Sequence, residues 1–188
     1  VQRRISNTIF LYARQQRLEK IIAEQFHEQE KNSKLMISIL SHIVEFRNGE
    51  SGLHVLHVNT ITKYLLKQLV QCTDQYPLSK AEISLISTAS ALHDIGKISI
   101  SDEILNKPGR LTAEEFEVMK THSMVGANML LDLPIEQQEA PLVKVASEIC
   151  RWHHERYDGS GYPDGLKGDE IPIAAQVVAL ADVYDALT

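Results

Sequence analysis

Histidine is the residue type in this chain whose spacing first suggests chemistry. The chain has 8 histidines in 188 residues, and most of them lie between His54 and His154. His54, His122 and His153 each stand three or four positions from apolar residues, which places an imidazole on the apolar face of a predicted helix. The ligand-type residues expected to point inward are His54, His93, Asp94, His122, His153, His154 and Asp182.

A shared metal site explains this whole set better than separate local partners do. A single buried histidine is commonly satisfied by a backbone carbonyl, and that reading is favoured for any one of these residues taken alone. For the set, every helix would need its own unrelated partner, because a buried polar group without one costs several kcal/mol. Helical bundles commonly hold metal ions in their cores, and mixed imidazole and carboxylate ligands suit Fe, Mn, Zn or similar divalent ions.

Helices are the elements that must position these side chains. Ser79 to Glu82 and Thr112 to Glu115 form two capping boxes, each of which predicts a helix start. Pro141 suits the first turn of another helix. The predicted helices cover residues 53–70, 79–93, 113–131, 141–154 and from 172 onward, and residues 157–172 form a long Gly- and Pro-rich loop. Since no strand pattern is present, the predicted fold class is all-α.

The first part of the chain has a different pattern. Leu11, Leu18, Ile22 and Phe26 form one narrow apolar stripe, typical of a linker or coiled-coil-like helix. From Leu35 the stripe widens, which predicts the first core helix. We therefore expect an N-terminal linker helix at 1–34 and a second domain at 35–188. The terminal sequences suggest a piece of a longer protein, and we expect this domain to be C-terminally incomplete.

Composition excludes several classes of protein. The net charge is −6, which argues against binding a nucleic-acid polymer. No apolar run approaches the roughly 18 residues of a membrane span, and no signal peptide is apparent. Cys72 and Cys150 lie in apolar helical surroundings and are predicted to be buried thiols in a reducing, cytoplasmic compartment. His27 and His42 lie outside the histidine cluster and are predicted to be surface or packing residues.

Two motifs resemble those of a known family. The stretch Ala91-Leu-His-Asp-Ile-Gly-Lys97 contains an HD dyad, and His153-His-Glu-Arg-Tyr-Asp-Gly-Ser-Gly-Tyr-Pro163 contains a GYP triplet. Together they resemble the HD-GYP family of bacterial cyclic di-GMP phosphodiesterases, which are HD-superfamily metal-dependent phosphohydrolases. The segments 104–109 and 182–187 match as well, so that the resemblance covers about residues 35–188. It implies an HD-domain helical bundle that hydrolyses cyclic di-GMP to pGpG, with GMP as a candidate second product, as a signalling output.

The resemblance also implies roles for individual residues. Asp94 and Lys97 take the catalytic positions, with Asp94 bridging metal ions and Lys97 near the scissile phosphate. Lys97, Arg156 and Tyr162 are the expected substrate-binding residues. The loop from Asp158 to Gly165 is expected to be flexible and to form one wall of the pocket. The expected metal ligands are Glu50, His54, His93, Asp94, His122, His153, His154 and Asp182.

The implied cofactor is a set of two or three divalent metal ions, since Glu50 fills the acidic position associated with a third. Fe and Mn are the first candidates, followed by Zn, Ni and Mg. The sequence departs from the family pattern at His57, where the family usually has Arg. His57 lies one helical turn after His54. It either supports the ligands or lies at the rim of the core, and the second interpretation is favoured.

Alternative functions stay open at this stage. One is a non-catalytic sensor of cyclic dinucleotides that signals through the N-terminal helix. Another is a phosphohydrolase acting on a different cyclic dinucleotide or nucleotide. Residues 1–30 resemble the helix that follows a receiver domain in two-component response regulators. The expected partners are therefore cyclic di-GMP, a second copy of the chain bound through this helix and an upstream receiver or sensor domain, with no nucleic-acid polymer and no membrane.

Overall fold

The computed structural model describes residues 2–47 and 53–188, with side chains described from residue 10 onward. Within these ranges the chain is helical and contains no β-strand, which confirms the predicted all-α class. Two 3-10 helices, Ile95–Ser99 and Gly168–Glu170, lie between the α-helices. The α-helices are α1 (Gln2–Arg47), α2 (Leu53–Cys72), α3 (Lys80–Ser90), α4 (Asp102–Leu105), α5 (Ala113–Leu131), α6 (Ile135–Gln138), α7 (Pro141–Trp152) and α8 (Ile173–Leu187).

The chain divides into two units, residues 1–36 and residues 37–188. In the first unit the apolar stripe is exposed: Leu11 is 61% and Phe26 69% accessible. Exposed pairs one turn apart, such as Lys34 with Glu30 at 2.6 Å, support this helical segment. Among the described residues, no helix is both long and apolar enough to cross a bilayer.

Local sequence signals account for three helix starts in the second unit. Ser79 accepts a hydrogen bond from the Glu82 backbone amide, and the Glu82 carboxylate accepts one from the Ser79 amide at 2.7 Å. Thr112 and Glu115 make the same reciprocal pair at the start of α5. Pro141 occupies the first turn of α7, where its missing N–H leaves no hydrogen bond unmade.

The hydrophobic core of the second unit lies between α2, α3, α7 and α8. Val58, Leu66, Ile149 and Val178 have no solvent exposure. The most buried line of α2 is Val55, Val58, Thr62 and Leu66, which is rotated slightly from the face predicted through His54 and Val58. This rotation leaves His54 at the edge of the core, where it is only partly buried.

The structure corrects the prediction for the end of α1. Among the apolar residues that widen the stripe after Leu35 and predict a core helix, Val44 is buried as expected, but Leu40, Ile43 and Phe46 are 54%, 58% and 76% exposed. The polar Ser41 and Glu45 are buried beside Val44. Ser41 and Glu45 are four residues apart and therefore lie on one face of the helix. Hydrophobic patterning does not identify this face because both residues are polar.

Two further predictions are corrected. Cys150 is buried as expected, and its thiol donates to the Leu92 carbonyl at 3.1 Å, but Cys72 is exposed at the last residue of α2. The helix predicted to reach His93 ends at Ser90, and the one predicted to reach His154 ends at Trp152. Both pairs of ligand-type residues therefore lie in turns just beyond a helix, where successive side chains are not restricted to helical spacing.

Candidate metal centre and active site

Three imidazoles are oriented by the chain segment that carries them. Their Nδ1 atoms lie within hydrogen-bond distance of backbone carbonyls three or four residues earlier: His93 to Ser90 at 2.9 Å, His122 to Met119 at 2.7 Å and His153 to Ile149 at 2.9 Å. A ring that donates from Nδ1 carries its lone pair on Nε2. The three Nε2 atoms converge on one buried point, so each ring presents the atom that a metal ion would require.

Asp94 lies at the centre of this convergence. Its Oδ1 is 3.2 Å from His122 Nε2 and 3.7 Å from His153 Nε2. Its Oδ2 is 3.2 Å from His93 Nε2 and 2.8 Å from Lys97 Nζ. One carboxylate therefore contacts donors from the turn after α3, from α5 and from the end of α7, as a bridging ligand would.

The second side of the cluster is formed by α2 and α8. His54 Nε2 lies 3.3 Å from Asp182 Oδ1, and His93 Nε2 lies 3.8 Å from the same oxygen. Candidate ligand atoms within 4.8 Å of one another form two groups, Asp94 with His122, His153 and His154, and His54 with His93 and Asp94. Because Asp94 belongs to both groups, the arrangement suits adjacent ions that share a carboxylate.

Two glycines allow the segment carrying Asp94 to approach α5. A Cβ atom on Gly96 would lie 1.9 Å from the His122 carbonyl oxygen and 2.6 Å from the Gly126 amide nitrogen. Any side chain at Gly96 would therefore push the 3-10 helix Ile95–Ser99 away from α5. This backbone contact determines the distance between Asp94 and His122.

The charge states within the cluster are strongly coupled. Burial alone would raise the pKa of Asp94, but the His93 and Lys97 charges, together with the close approach of His122 and His153, hold it well below its ordinary value. Burial opposes protonation of His93, yet the neighbouring Asp94 raises its pKa to about 9. Asp94 is therefore a carboxylate at neutral pH, ready to accept cationic charge.

Burial and contacts within the cluster also shift the pKa values of other candidate ligands. A hydrogen bond with Asp182, opposed by burial and reinforced by Asp185, raises the pKa of His54 to about 9. Burial would raise the pKa of Asp182, but its contacts with His54 and His93 lower it to about 2. Burial, followed by the neighbouring imidazoles, lowers the pKa of His154 to about 2, and burial also lowers that of His153. His153 and His154 are thus neutral, which is the form that binds metals.

The donor set fits divalent metal ions. His93 Nε2 and Asp94 Oδ1 are buried, and within the part of the chain that the structure describes neither makes a hydrogen bond. Buried polar atoms in this state are uncommon and call for an explanation such as an ion. With only imidazole nitrogens and carboxylate oxygens, the set suits Fe, Mn, Zn and related ions.

A cleft of about 340 Å³ opens above these groups. Its lining includes His54, Asp94, Lys97, His154 and Asp182, so four candidate ligands and the Lys97 side chain are exposed to the same space. Asp185 and Ala186 of α8 complete the lining.

The Gly-rich loop does not form a wall of this cleft, contrary to the expectation. Gly161, Tyr162 and Pro163 line a neighbouring groove of about 620 Å³ against α5. Tyr162 stacks on His154 with ring centroids 4.8 Å apart, and burial raises the pKa of its hydroxyl. Arg156 is exposed and is not part of the cleft lining.

Hydrogen bonds also hold the loop expected to be flexible. Glu155 is buried, and its Oε1 accepts from the Asp164 and Gly165 backbone amides at 2.7 and 3.0 Å. Arg151 donates two hydrogen bonds to the Asp164 carboxylate, and Trp152 donates a third at 2.8 Å. The loop is therefore fastened both to α7 and to Glu155, which lies between α7 and the loop.

The predicted ligands His54, His93, Asp94, His122, His153, His154 and Asp182 lie together, with Lys97 beside Asp94. Glu50, also predicted as a ligand, lies outside the described residues. Sequence analysis assigned no role to Asp185 and favoured the core rim for His57, yet their side chains contact each other at 2.8 Å. The available signal was that Asp182 and Asp185 are three residues apart, as His54 and His57 are.

Comparison with known proteins agrees with this site. The family model described as "HD domain" matches residues 16–188, so the chain belongs to the HD-domain family. It is 42% identical over 178 residues to a probable cyclic di-GMP phosphodiesterase of Vibrio cholerae, covering 90% of this chain and 39% of that protein. It is 38% identical over 170 residues to the cyclic di-GMP phosphodiesterase response regulator RpfG of Xanthomonas campestris, covering 90% and 42%.

A third relative carries a different substrate in its name. The 3'3'-cGAMP-specific phosphodiesterase 2 of Vibrio cholerae is 41% identical over 157 residues, covering 84% of this chain and 28% of that protein. The chain thus spans about two fifths or less of the length of these relatives. The relatives named as cyclic di-GMP phosphodiesterases confirm the resemblance to the HD-GYP family.

Proposed function

We propose that this chain is the catalytic domain of a metal-dependent phosphodiesterase that hydrolyses cyclic di-GMP to pGpG, with GMP as a candidate second product. The observation that carries the proposal is the buried convergence of imidazole Nε2 atoms on Asp94, with His93 Nε2 and Asp94 Oδ1 lacking hydrogen bonds among the described residues. The names of the relatives supply the substrate class.

Two or three divalent ions are proposed, with Fe or Mn as the first candidates. They would be held by His54, His93, Asp94, His122, His153, His154 and Asp182, and by Glu50 if that residue reaches the site. Such ions supply a water with a pKa lowered towards about 7 and polarise phosphoryl oxygens.

The residues of this chain have separate roles in the proposal. Asp94 bridges the two ligand groups and keeps its charge at neutral pH. Lys97, whose Nζ lies 2.8 Å from Asp94 Oδ2, would stabilise charge that develops on the phosphoryl oxygens. Tyr162 and Arg156 remain proposed substrate contacts. Their positions beside the cleft suit the outer parts of a dinucleotide better than its scissile phosphate.

A second substrate deserves a parallel assay because one relative at 41% identity is named as specific for 3'3'-cGAMP. This nucleotide has the same phosphodiester chemistry and differs in one base. The groups that contact phosphate would serve either substrate, and the bases would be distinguished at the rim of the cleft.

The test is turnover by protein purified anaerobically and loaded with Mn²⁺ or Fe²⁺. Cyclic di-GMP and 3'3'-cGAMP are incubated separately, and the products are separated by chromatography. We expect linear dinucleotide to accumulate from cyclic di-GMP. No hydrolysis of either substrate by protein with its metal content verified would contradict the enzyme proposal, and tight binding without turnover would favour the sensor alternative.

A matched pair of histidine variants distinguishes the effect of losing a residue of the cluster from the effect of losing a histidine elsewhere. His122→Gln removes a buried imidazole of the cluster, whereas His42→Gln removes an exposed imidazole of α1. We expect loss of metal and of turnover for the first and no change in either for the second.

The cellular context is proposed from the same resemblance. A cytoplasmic protein with an upstream receiver or sensor domain would use residues 1–34 as a linker helix and residues 35–188 as the output domain. The exposed apolar side chains of the first unit, such as Leu11 and Phe26, support pairing with a second copy.

A further inference from the structure

Two pairs of residues face each other across the contact between α2 and α8. His54 and His57 are one helical turn apart on α2, and Asp182 and Asp185 are one turn apart on α8. Asp182 contacts His54 through Nε2 at 3.3 Å. Asp185 contacts the opposite ring nitrogen of His54, with Nδ1 to Oδ2 at 2.7 Å.

Both oxygens of the Asp185 carboxylate are engaged by imidazoles. While Oδ2 contacts His54, Oδ1 lies 2.8 Å from His57 Nδ1. The Asp185 side chain is only 13% exposed, whereas that of His57 is 51% exposed. His57 therefore closes the outer side of a chain of contacts that runs from the surface to the cluster.

The Nδ1 contact of His54 differs in kind from those of three other histidines of the cluster. His93, His122 and His153 use carbonyls three or four residues earlier to hold Nδ1. His54 is the second residue of α2, and the described contact of its Nδ1 is with the Asp185 carboxylate of α8. The α8 carboxylate occupies the position that a backbone carbonyl occupies for the other three rings.

We propose that Asp185, fixed in place by His57, is the positioning residue that orients His54 as a metal ligand. By accepting a hydrogen bond from Nδ1, it keeps the Nε2 lone pair of His54 directed at the metal centre. Carboxylates that bind the far nitrogen of a metal-bound histidine fix its tautomer and increase its basicity. This inference rests on the proposed metal centre but not on the identity of the nucleotide substrate.

The test measures metal binding without substrate. Mn²⁺ is titrated into metal-free protein, and unbound Mn²⁺ is counted by electron paramagnetic resonance. Asp185→Ala should weaken the binding of at least one ion by about 10–100-fold, the usual loss on removing such a partner. Asp185→Asn, which keeps one acceptor oxygen, should lie between it and the wild type, and His57→Ala should cause the smallest loss.

The matched control is Asp74→Asn, which removes a carboxylate from an exposed turn and should leave Mn²⁺ binding unchanged. A second readout reports the orientation of His54 directly. In the Zn²⁺-loaded protein, imidazole nitrogen NMR should show a protonated Nδ1 that exchanges slowly with water in the wild type and rapidly in Asp185→Asn. A purely structural role would not produce this change.

The outcomes separate the two proposals. Wild-type protein that binds Mn²⁺ at the same affinity as Asp185→Asn and His57→Ala overturns the role of Asp185 and leaves the enzyme proposal standing. Wild-type protein that binds no Mn²⁺ overturns both. Graded weakening together with the NMR change supports the role of Asp185 whichever cyclic dinucleotide is hydrolysed.

Discussion

At the scale of the residue, the proposed function gives Asp94 and Lys97 different roles: Asp94 would hold metal and Lys97 would contact phosphate. Asp94 is buried and contacts imidazoles from three parts of the chain, whereas Lys97 contacts Asp94 and lines the cleft. A ligand and a phosphate contact should respond differently to substitution, because only the ligand changes the affinity for ions.

Asp94→Asn and Lys97→Met test this division. Asp94→Asn should lower both the metal content and kcat/KM, by more than the roughly 10–100-fold caused by loss of a supporting partner. Lys97→Met should lower kcat/KM by about 10²-fold or more while keeping the metal content, since one charge-stabilising donor is lost. Elemental analysis of the dialysed proteins and initial rates give both numbers. Equal loss of metal in the two variants would contradict the division.

At the scale of the element, sequence patterning identified the long helices of the second unit but not the short helices α4 and α6, nor the turns that end α3 and α7. The capping boxes at Ser79 and Thr112 were readable because cap and helix are adjacent in the chain. The ends at Ser90 and Trp152 were not readable, because the turn that follows is stabilised by packing against distant segments. The ligand set was predictable from residue types and motifs, whereas the contact of Asp185 with His57 depends on how α2 and α8 meet.

The close approach between elements at Gly96 provides a second prediction. Gly96→Ala should destabilise the protein by about 3 kcal/mol, because the new methyl group meets the backbone of α5, which cannot yield without moving His122. Gly126→Ala should cost less, since its nearest contacts would be at 3.1 and 3.4 Å. Urea denaturation of the metal-free proteins compares the two. A smaller effect for Gly96→Ala than for Gly126→Ala would contradict the geometry.

Arg47, the last residue of α1, ties two further elements together. It donates to the Ile98 and Ile100 carbonyls at 2.8 Å each and contacts Asp102 at the start of α4. These carbonyls belong to residues one and three positions after Lys97. The position of Lys97 in the cleft therefore depends on a side chain from a helix that contributes no candidate ligand among the described residues.

At the scale of the whole molecule, the net charge of −6 describes the chain without its ions. The acidity of the apo chain says little about anionic substrates, because Asp94 and Asp182 are part of a cluster that would bind cations. The same cluster makes stability depend on pH. His54 and His93 have pKa values raised to about 9, while those of His153 and His154 are lowered.

We expect the melting temperature of the metal-free protein to be highest near pH 6.5. Above that pH the stabilisation from protonated His54 and His93 is lost progressively up to about pH 9. Below it the unfolded chain takes up protons that folded His153 and His154 resist, which also lowers stability. Thermal denaturation in chelator across pH 5 to 9.5 measures this profile. A melting temperature that does not fall between pH 6.5 and 9 would contradict it.

The fastening of the Gly-rich loop through Glu155 and Asp164 has a consequence for the kinetics and thermodynamics of binding. Ordering a backbone residue costs about 1–2 kcal/mol of conformational entropy, and a loop that orders only around its ligand subtracts this from the affinity. Here the loop is already ordered when the domain folds. A ligand entering the groove beside Tyr162 meets a preformed wall, so its association requires no loop closure and its release no loop opening.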